Sequence, residues 1–277
     1  MVSNTLFVVA TPIGNLDDIT LRALNTLQEV DLIAAEDTRH TRKLLARHGI
    51  EAASIALHEH NEEQMAPRLV SRLLAGESIA LVSDAGTPLL SDPGYRLVRL
   101  AAEAGVEISP IPGPSAVTAA LSVSGLATDR FAFEGFLPSR RTARIKQLEA
   151  LASEPRSTVL FESSHRIMAS LEDMEAVFGS DRQAAICREM TKRFETVLRG
   201  TLGDLVKRLA QDPDQSRGEF VIVLAADQRE QSEEYRDALG LCVALKEYLS
   251  ASQAARVAAK IHGVSRRELY SLLESKD

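Results

Sequence analysis

Three apolar runs of this chain each break into a tight polar loop. Leu6 to Ala10 leads into Thr11-Pro12-Ile13-Gly14-Asn15, Ile79 to Val82 into Ser83-Asp84-Ala85-Gly86-Thr87-Pro88, and Ile108 to Ile111 into Pro112-Gly113-Pro114-Ser115. Glycine lets bare backbone approach a ligand, and proline stiffens the loop that does so. If the runs are neighbouring strands of an open α/β sheet, their loops share the crevice at the strands' carboxyl ends, where such folds bind ligands. The first loop is neither the G-x-G-x-x-G of dinucleotide binding nor the Gly-Lys-Ser/Thr of a phosphate loop, which removes two large enzyme classes. A pocket of Asp84, the Thr87 and Ser115 hydroxyls and exposed amides suits a ligand with an amino acid part, a ribose and an adenine more than a triphosphate. Asp84 also reads as a turn or capping residue.

Two further polar groups each follow an expected strand: Glu36-Asp37-Thr38-Arg39-His40 and His58-Glu59-His60-Asn61-Glu62. Adjacent carboxylates and imidazoles serve as general bases or metal ligands, yet Asp37-Thr38 and Asn61 read equally as helix N-caps. The run Glu162-Ser163-Ser164-His165-Arg166 offers Ser163 or Ser164 as a cap and Glu162 or His165 to a crevice. No G-x-S-x-G occurs, so no hydrolase elbow is present.

The elements that would position these groups alternate. Strands are expected at 5–10, 31–35, 54–57, 79–82 and 106–111, with helices at 19–28, 39–47, 62–75 and 93–104 between them. That order implies a largely parallel sheet. A stiff proline-rich crossing at 110–114 leads to a helix at 115–124 and then to a second lobe. Its expected elements are strand 131–136, a basic helix at 140–152, strand 157–161, helix 165–177, strands 183–188 and 194–199, helix 202–210 and strand 219–224. Antiparallel pairing is expected among its later strands. Residues 226–234 read as a polar linker, and the rest as helical. Ala259 to Ser265, with Gly263 at a turn and Leu269-Tyr270 beyond it, has the spacing of a helix-turn-helix. Arg256, Lys260, Arg266 and Arg267 lie on or beside its second helix; a helical hairpin packing on the body is the alternative.

The 277 residues, with 45% hydrophobic and 26% charged side chains, allow two α/β lobes and an appendage with sizeable cores. A formal charge of −7 argues against coating naked nucleic acid by bulk electrostatics. Local basic clusters remain: Arg140, Arg141, Arg144 and Lys146, and Lys192-Arg193 beside Arg188. The two cysteines, Cys187 and Cys242, have no disulfide or zinc spacing, so no metal is expected and a reducing cytoplasm fits. Nothing approaches the roughly 20 apolar residues of a membrane span, so the chain reads as soluble and not exported.

The motifs just named, taken with Leu16-Asp17-Asp18-Ile19, Ala35 before Glu36, Leu89-Leu90-Ser91-Asp92-Pro93-Gly94, Ala116 and Phe161, occur in order from residue 5 to about 225. In that arrangement the chain resembles the small-subunit ribosomal RNA methyltransferases among the tetrapyrrole-methylase-like, class III methyltransferases. The tail is similar to that family's C-terminal segment. The resemblance implies two α/β lobes, 1–113 and 114–226, with a helical tail at 233–277. It implies S-adenosylmethionine held folded in the cleft and 2′-O-methylation of a decoding-centre cytidine in 16S ribosomal RNA, presented on the 30S subunit to a homodimer. A relative that methylates a precorrin-type tetrapyrrole at carbon is the alternative, which would need neither the basic helix nor the tail.

Carried over by motif, Pro12 and Gly14 would approach the sulfonium. Asp84, Ala85 and Thr87 would hold the methionine part or the methyl-bearing end, and Ser115 and Ala116 the amino acid or ribose. Phe161, Glu162, Met190, Glu219 and Phe220 would complete the cleft near the adenine. Because a ribose hydroxyl is a poor acid, a base such as Asp37, His58 or Glu36, or Arg39 stabilising the developing alkoxide, would help. Arg140, Arg141, Arg144, Lys192, Arg266 and Arg267 are the expected RNA contacts. A lysine-based tetrad cannot be located.

Overall fold

The computed structural model describes residues 4–227 and 233–274. The first lobe runs β1 (Thr5–Val9), α1 (Leu21–Glu29), β2 (Leu32–Ala35), α2 (Thr38–Arg47), β3 (Ser54–Ala56), α3 (Glu62–Leu74), β4 (Ile79–Val82), α4 (Tyr95–Glu103) and β5 (Glu107–Ile111). Its strands lie in the order β3-β2-β4-β1-β5, every pair parallel. β2 and β4 are buried throughout, as strands covered by helices on both faces must be. Along β2 the side chains alternate: Leu32 and Ala34 join Leu69, Leu73 and Leu97 of α3 and α4, whereas Ile33 and Ala35 join Leu27 and Leu44 of α1 and α2. A short 3₁₀ turn at Leu16–Asp18, capped by Asn15, delays α1 to Leu21, two residues past the expected start.

α5 (Ala116–Ser124) follows the proline crossing. The second lobe then adds β6 (Phe131–Phe136), α6 (Arg141–Ala150), β7 (Ser157–Ser163), α7 (Ile167–Phe178), β8 (Gln183–Arg188), β9 (Thr196–Thr201), α8 (Leu202–Gln211) and β10 (Glu219–Leu224). The strand order is β6-β7-β10-β8-β9, with β6 and β7 parallel and the other neighbours antiparallel, the mixed sheet the sequence implies. One face packs Leu148, Leu171 and Leu205 of α6, α7 and α8 onto Leu160, Ile186 and Ile222. The opposite face packs Val117, Ala120 and Leu121 of α5 onto Val159, Ala185, Val221 and Val223. α5 therefore belongs to the second lobe's core while its first turn follows directly on the loop of β5.

The tail folds as α9 (Glu233–Leu245), α10 (Ala251–His262) and α11 (Arg266–Glu274) around Leu239, Cys242, Ala255, Ala258, Leu269 and Leu272. A capping box of Ser250 and Gln253 starts α10. Gly263, at φ +70°, ends it in the left-handed conformation that the turn into α11 requires. Of the expected linker 226–234, residues 228–232 lie outside the described residues. Among the described residues no helix is long and apolar enough to cross a membrane.

Candidate functional site

β4, β1 and β5 are adjacent in the first sheet, so the three loops that follow them do converge. They are tied together. Thr11 and Gly86 exchange backbone hydrogen bonds of 2.8 and 3.0 Å. The Thr11 hydroxyl donates to the Ser83 carbonyl at 3.1 Å, and the Thr87 hydroxyl to the Pro114 carbonyl at 3.2 Å. Above them, between the lobes, lies a cavity of about 360 Å³, within the size range of small-ligand sites. Ile13, Glu36, Asp84 to Thr87, Leu90, Ser91 and Asp92 line it from the first lobe and Ser115 to Val117 from the start of α5. Phe136, Phe161 to Ser163, Met190 and Glu219 to Val221 close it from the second lobe.

Its two walls differ in chemistry. On the first-lobe side the Glu36 carboxylate accepts from the Asp84 amide at 3.2 Å, and the Asp84 carboxylate from the Asp37 amide at 3.1 Å. Burial pushes the Glu36 carboxyl up, and the negative neighbours Asp84, Glu59 and Asp37 add to that push. Burial, with Glu36 and Asp84 adding, pushes the Asp92 carboxyl up to about 6 against an opposing Ser83 hydrogen bond. The far wall carries an aromatic cluster, with the Phe161 ring edge-on to Phe133 at 4.9 Å and to Phe136 at 5.5 Å. At the start of α5 the Ser115 side chain makes no capping hydrogen bond. Ser115 to Val117, at this helix N-terminus, line the cavity, and a helix N-terminus favours a carboxylate or other anion.

Ten of the twelve residues expected to hold a cofactor line this cavity: Asp84, Ala85, Thr87, Ser115, Ala116, Phe161, Glu162, Met190, Glu219 and Phe220. Pro12 and Gly14 do not; Ile13 between them does. Gly14 instead meets the second lobe, where a Cβ would lie 2.6 Å from Lys192 Cγ, 2.8 Å from Thr191 Oγ1 and 3.0 Å from the Met190 carbonyl. The neighbouring Asn15 amide donates to Thr191 Oγ1 at 3.0 Å. This glycine serves the approach of one lobe to the other and does not itself line the cavity.

Of the expected bases Glu36 lines the cavity, whereas Asp37, His58 and the expected alkoxide stabiliser Arg39 do not. Asp37 caps α2 through the Arg39 amide at 2.8 Å and pairs with the Arg39 guanidinium at 2.7 Å, which holds its carboxyl far below the usual carboxylate range. Asp37 and Arg39 thus satisfy each other at the surface. His58 lies outside the cavity lining, its amide bonded to Asn61 Oδ1 at 2.9 Å. Asn61 holds that turn without capping α3 by its side chain. Glu62, from the same run, accepts the Gly94, Arg96 and Leu97 amides at 3.2, 2.7 and 3.3 Å and so caps α4. Neither Ser163 nor Ser164 caps a helix: β7 runs on to Ser163 and α7 begins at Ile167 after Arg166. Glu162 is buried and locked, 2.7 Å from Arg166 Nη2 and 2.6 Å from the Ser170 hydroxyl.

The basic clusters divide. Arg144 is buried against Asp173 at 2.7 Å, and Arg141 pairs with the same carboxylate at 2.9 Å, so the expected RNA contact at Arg144 is a core ion pair. Lys192 is neutralised by Glu189 at 3.0 Å and Glu219 at 2.8 Å. Arg266 bonds Ser252 at 2.9 Å, whereas Arg267 lies 3.7 Å from Glu149 of α6, a contact between tail and body. Arg140 is exposed at the N-cap of α6.

Sequence reasoning passed over Ile13, Leu90, Ser91, Asp92 and Phe136 as lining residues. The signal was present for two of them. Asp92-Pro93-Gly94 punctuates the chain like the other loops, and Phe136 ends a second-lobe strand as Phe161 nearly does.

Residues 5–206 match the family model described as Tetrapyrrole (Corrin/Porphyrin) Methylases, and residues 232–276 the one described as RsmI C-terminal HTH domain. The ribosomal RNA small subunit methyltransferase I of Xylella fastidiosa (strain Temecula1 / ATCC 700964) is 53% identical over 266 residues, covering 96% of this chain and 97% of that protein. Its namesake in Escherichia coli O157:H7 is 48% identical over 265 residues, covering 96% of this chain and 93% of the relative. Two solved structures share the fold. A uroporphyrin-III-C-methyltransferase from Thermus thermophilus has TM-score 0.55 at 20% identity, over 80% of this chain and 94% of that one. A diphthine synthase has TM-score 0.59 at 21% identity, over 80% and 90%. Spanning both matched segments and nearly the full length of these relatives, the chain belongs to the ribosomal RNA small subunit methyltransferase I family of the tetrapyrrole methylases.

Proposed function

We propose that the protein transfers a methyl group from S-adenosylmethionine to the ribose 2′-oxygen of a decoding-centre cytidine in 16S ribosomal RNA. It acts in the cytoplasm as a homodimer on the assembled 30S subunit. The observation that carries this reading is the inter-lobe cavity, whose donor set fits the cofactor part by part. The Glu36, Asp84 and Asp92 carboxylates suit a sulfonium cation, the open start of α5 suits the amino acid carboxylate, and Phe161, Met190, Phe220 and Val221 suit a purine. Asp84, Ala85, Thr87, Ser115, Ala116, Phe161, Glu162, Met190, Glu219 and Phe220 are assigned to hold it, with Ile13 added. The units at work are 1–113, 114–226 and the tail 233–277.

When bound, the cofactor supplies an electrophilic methyl group on a sulfur that already leaves well. The protein's part is alignment and proton removal. Holding the ribose oxygen in line contributes up to about 7–11 kcal/mol of the barrier reduction. The hydrogen-bonded cradle of three loops supplies that rigidity on the first-lobe side, and sheet-borne Phe161 and Phe220 supply it on the other. RNA contact falls to the exposed cations, Arg140 and the tail's Arg256, Lys260 and Arg266, with Arg267 at the junction of tail and body.

The test incubates the protein with radiolabelled cofactor and 30S particles from cells lacking the modification, naked ribosomal RNA, or a precorrin. Label on the particle is expected. Label on the precorrin alone would move the chain to the tetrapyrrole branch of the fold, and no transfer to any acceptor would reject both.

A further inference from the structure

For the sugar of a target nucleotide to reach a methyl group inside an inter-lobe cavity, the nucleotide has to leave the stack of its neighbours. A surface at the cavity mouth must return that lost stacking. The described residues hold such a surface, and the backbone is bent to present it. Five non-glycine residues among them have a left-handed φ, and four of the five fall in two loops at the cavity. These are Leu89 at +74° and Ser91 at +69° after β4, and Glu189 at +50° and Thr191 at +64° after β8. L-residues hold that conformation only where their surroundings enforce it, as at ligand clamps. In each pair the residue between, Leu90 or Met190, lines the cavity. Leu90 is 39% exposed, while Leu89 before it packs against the first-lobe core.

Phe136 is presented in the same way from the second lobe. A β-bulge between Phe133 and Gly135, with Gly135 at φ +65°, breaks the register of β6 just before it. A Cβ on Gly135 would stand 2.9 Å from Ser91 Oγ, so the end of β6 meets the loop that carries Leu90. Phe136 is 53% exposed although Gly135 and Leu137 on either side are buried, and it lines the same cavity. An aromatic ring and an aliphatic side chain, exposed on the two lips of one cavity, suit a flat group with apolar faces and wet edges. A nucleobase is such a group. We propose that Phe136 and Leu90 form a clamp that stacks the base of the target nucleotide and so holds its sugar at the cavity mouth, a role that rests on the methyltransferase reading above. Neither side chain has a polar atom, so the clamp grips a base by its faces and positions the nucleotide without reading its edges.

Phe136→Ala, Phe136→Leu and Phe136→Trp are compared with the unaltered chain in single-turnover methylation of saturating unmodified 30S particles. Particle binding is read by filter retention, cofactor affinity by calorimetry and oligomeric state by sedimentation. Stacking of one base on an aromatic ring is worth about 1–3 kcal/mol, which converts to roughly 5- to 150-fold. Because the exposed cations dock the particle before the base is captured, the loss belongs in the saturating rate and not in particle affinity. Phe136→Ala should slow the saturating rate by that factor, with particle and cofactor binding unchanged. Phe136→Leu keeps apolar bulk without a ring face and should stay slow, whereas Phe136→Trp should restore the rate. An unaffected Phe136→Ala, a Phe136→Leu as fast as Phe136→Trp, a loss matched by weaker cofactor binding, or a loss that tracks a change in oligomeric state would each overturn the clamp. If the unaltered chain itself transfers nothing to the particle, the methyltransferase reading falls and the clamp falls with it; an active parent with an unaffected Phe136→Ala removes the clamp alone.

Discussion

Arg144 separates two accounts of the basic helix α6. In one, its cations reach RNA; in the other, which the structure shows, Arg144 is a buried strut on α7. Its side chain is 5% exposed and Asp173 is 2% exposed, whereas Arg141 on the same carboxylate is 73% exposed. Burial alone would raise the Asp173 carboxyl, but the hydrogen bonds from Arg141 and Arg144 outweigh it and hold it below its ordinary value. Arg144→Ala leaves that buried carboxylate with one exposed partner. Breaking a buried pair from one side costs about 3–5 kcal/mol, and the remaining Arg141 places the loss near the lower end, about 3 kcal/mol. At about 2–4 °C per kcal/mol for a protein of this size, the melting temperature should fall by about 6–12 °C. Arg141→Ala, at the surface, should cost about 1 kcal/mol or less. Because a depressed carboxylate stabilises above its unfolded-state value and loses that stabilisation as pH falls through the folded-state value, the gap between Arg144→Ala and the parent should close in strong acid. Thermal unfolding against pH, with filter binding to 30S particles, reads both accounts. An Arg144→Ala protein that melts like the parent yet binds particles poorly would refute the buried-strut reasoning.

Gly14→Ala should lower stability by about 1–3 kcal/mol in urea unfolding, since the Met190 carbonyl 3.0 Å from the added Cβ is backbone and cannot swing aside. It should also weaken cofactor binding by calorimetry, because Ile13 and Met190 both line the cavity. Asp92→Asn should stabilise the fold above about pH 6, by about 1–2 kcal/mol after allowance for partial exposure, and the gain should vanish below the unfolded-state value of 3.8. The sign follows because a carboxyl raised on folding stabilises only while protonated; chemical denaturation at pH 8 and pH 3.5 checks it. Deleting residues 233–277 should reduce methylation of the particle and leave cofactor affinity nearly intact, because no described tail residue lines the cavity and the tail packs its own core. Equal loss of both would show that the tail props up the body.

The alternation of strand and helix was readable because β2 and β4 are apolar at every position and the helices between them carry one buried stripe. The pocket was readable because Gly and Pro mark the carboxyl ends of β1, β4 and β5, which are sheet neighbours. Roles that depend on a partner distant in sequence were not. Arg144 looks like a surface cation until Asp173 arrives from α7, and Gly14 looks like a ligand contact until the 190–192 loop packs on it. Glu62 stood in a run of carboxylates and imidazoles without a role of its own, yet it serves the amides at the start of α4. Asp92 was read only as part of a motif, because the upward push on its carboxyl comes from burial and from Glu36 after another strand, which no local spacing encodes.

Titration calorimetry of the purified chain with S-adenosylmethionine tests the central claim most directly. The cavity described here predicts saturable heat with one cofactor per chain, weakened when Asp84 or Phe161 is replaced. A folded protein that releases no heat with this compound, or one whose binding is indifferent to both replacements, would contradict it.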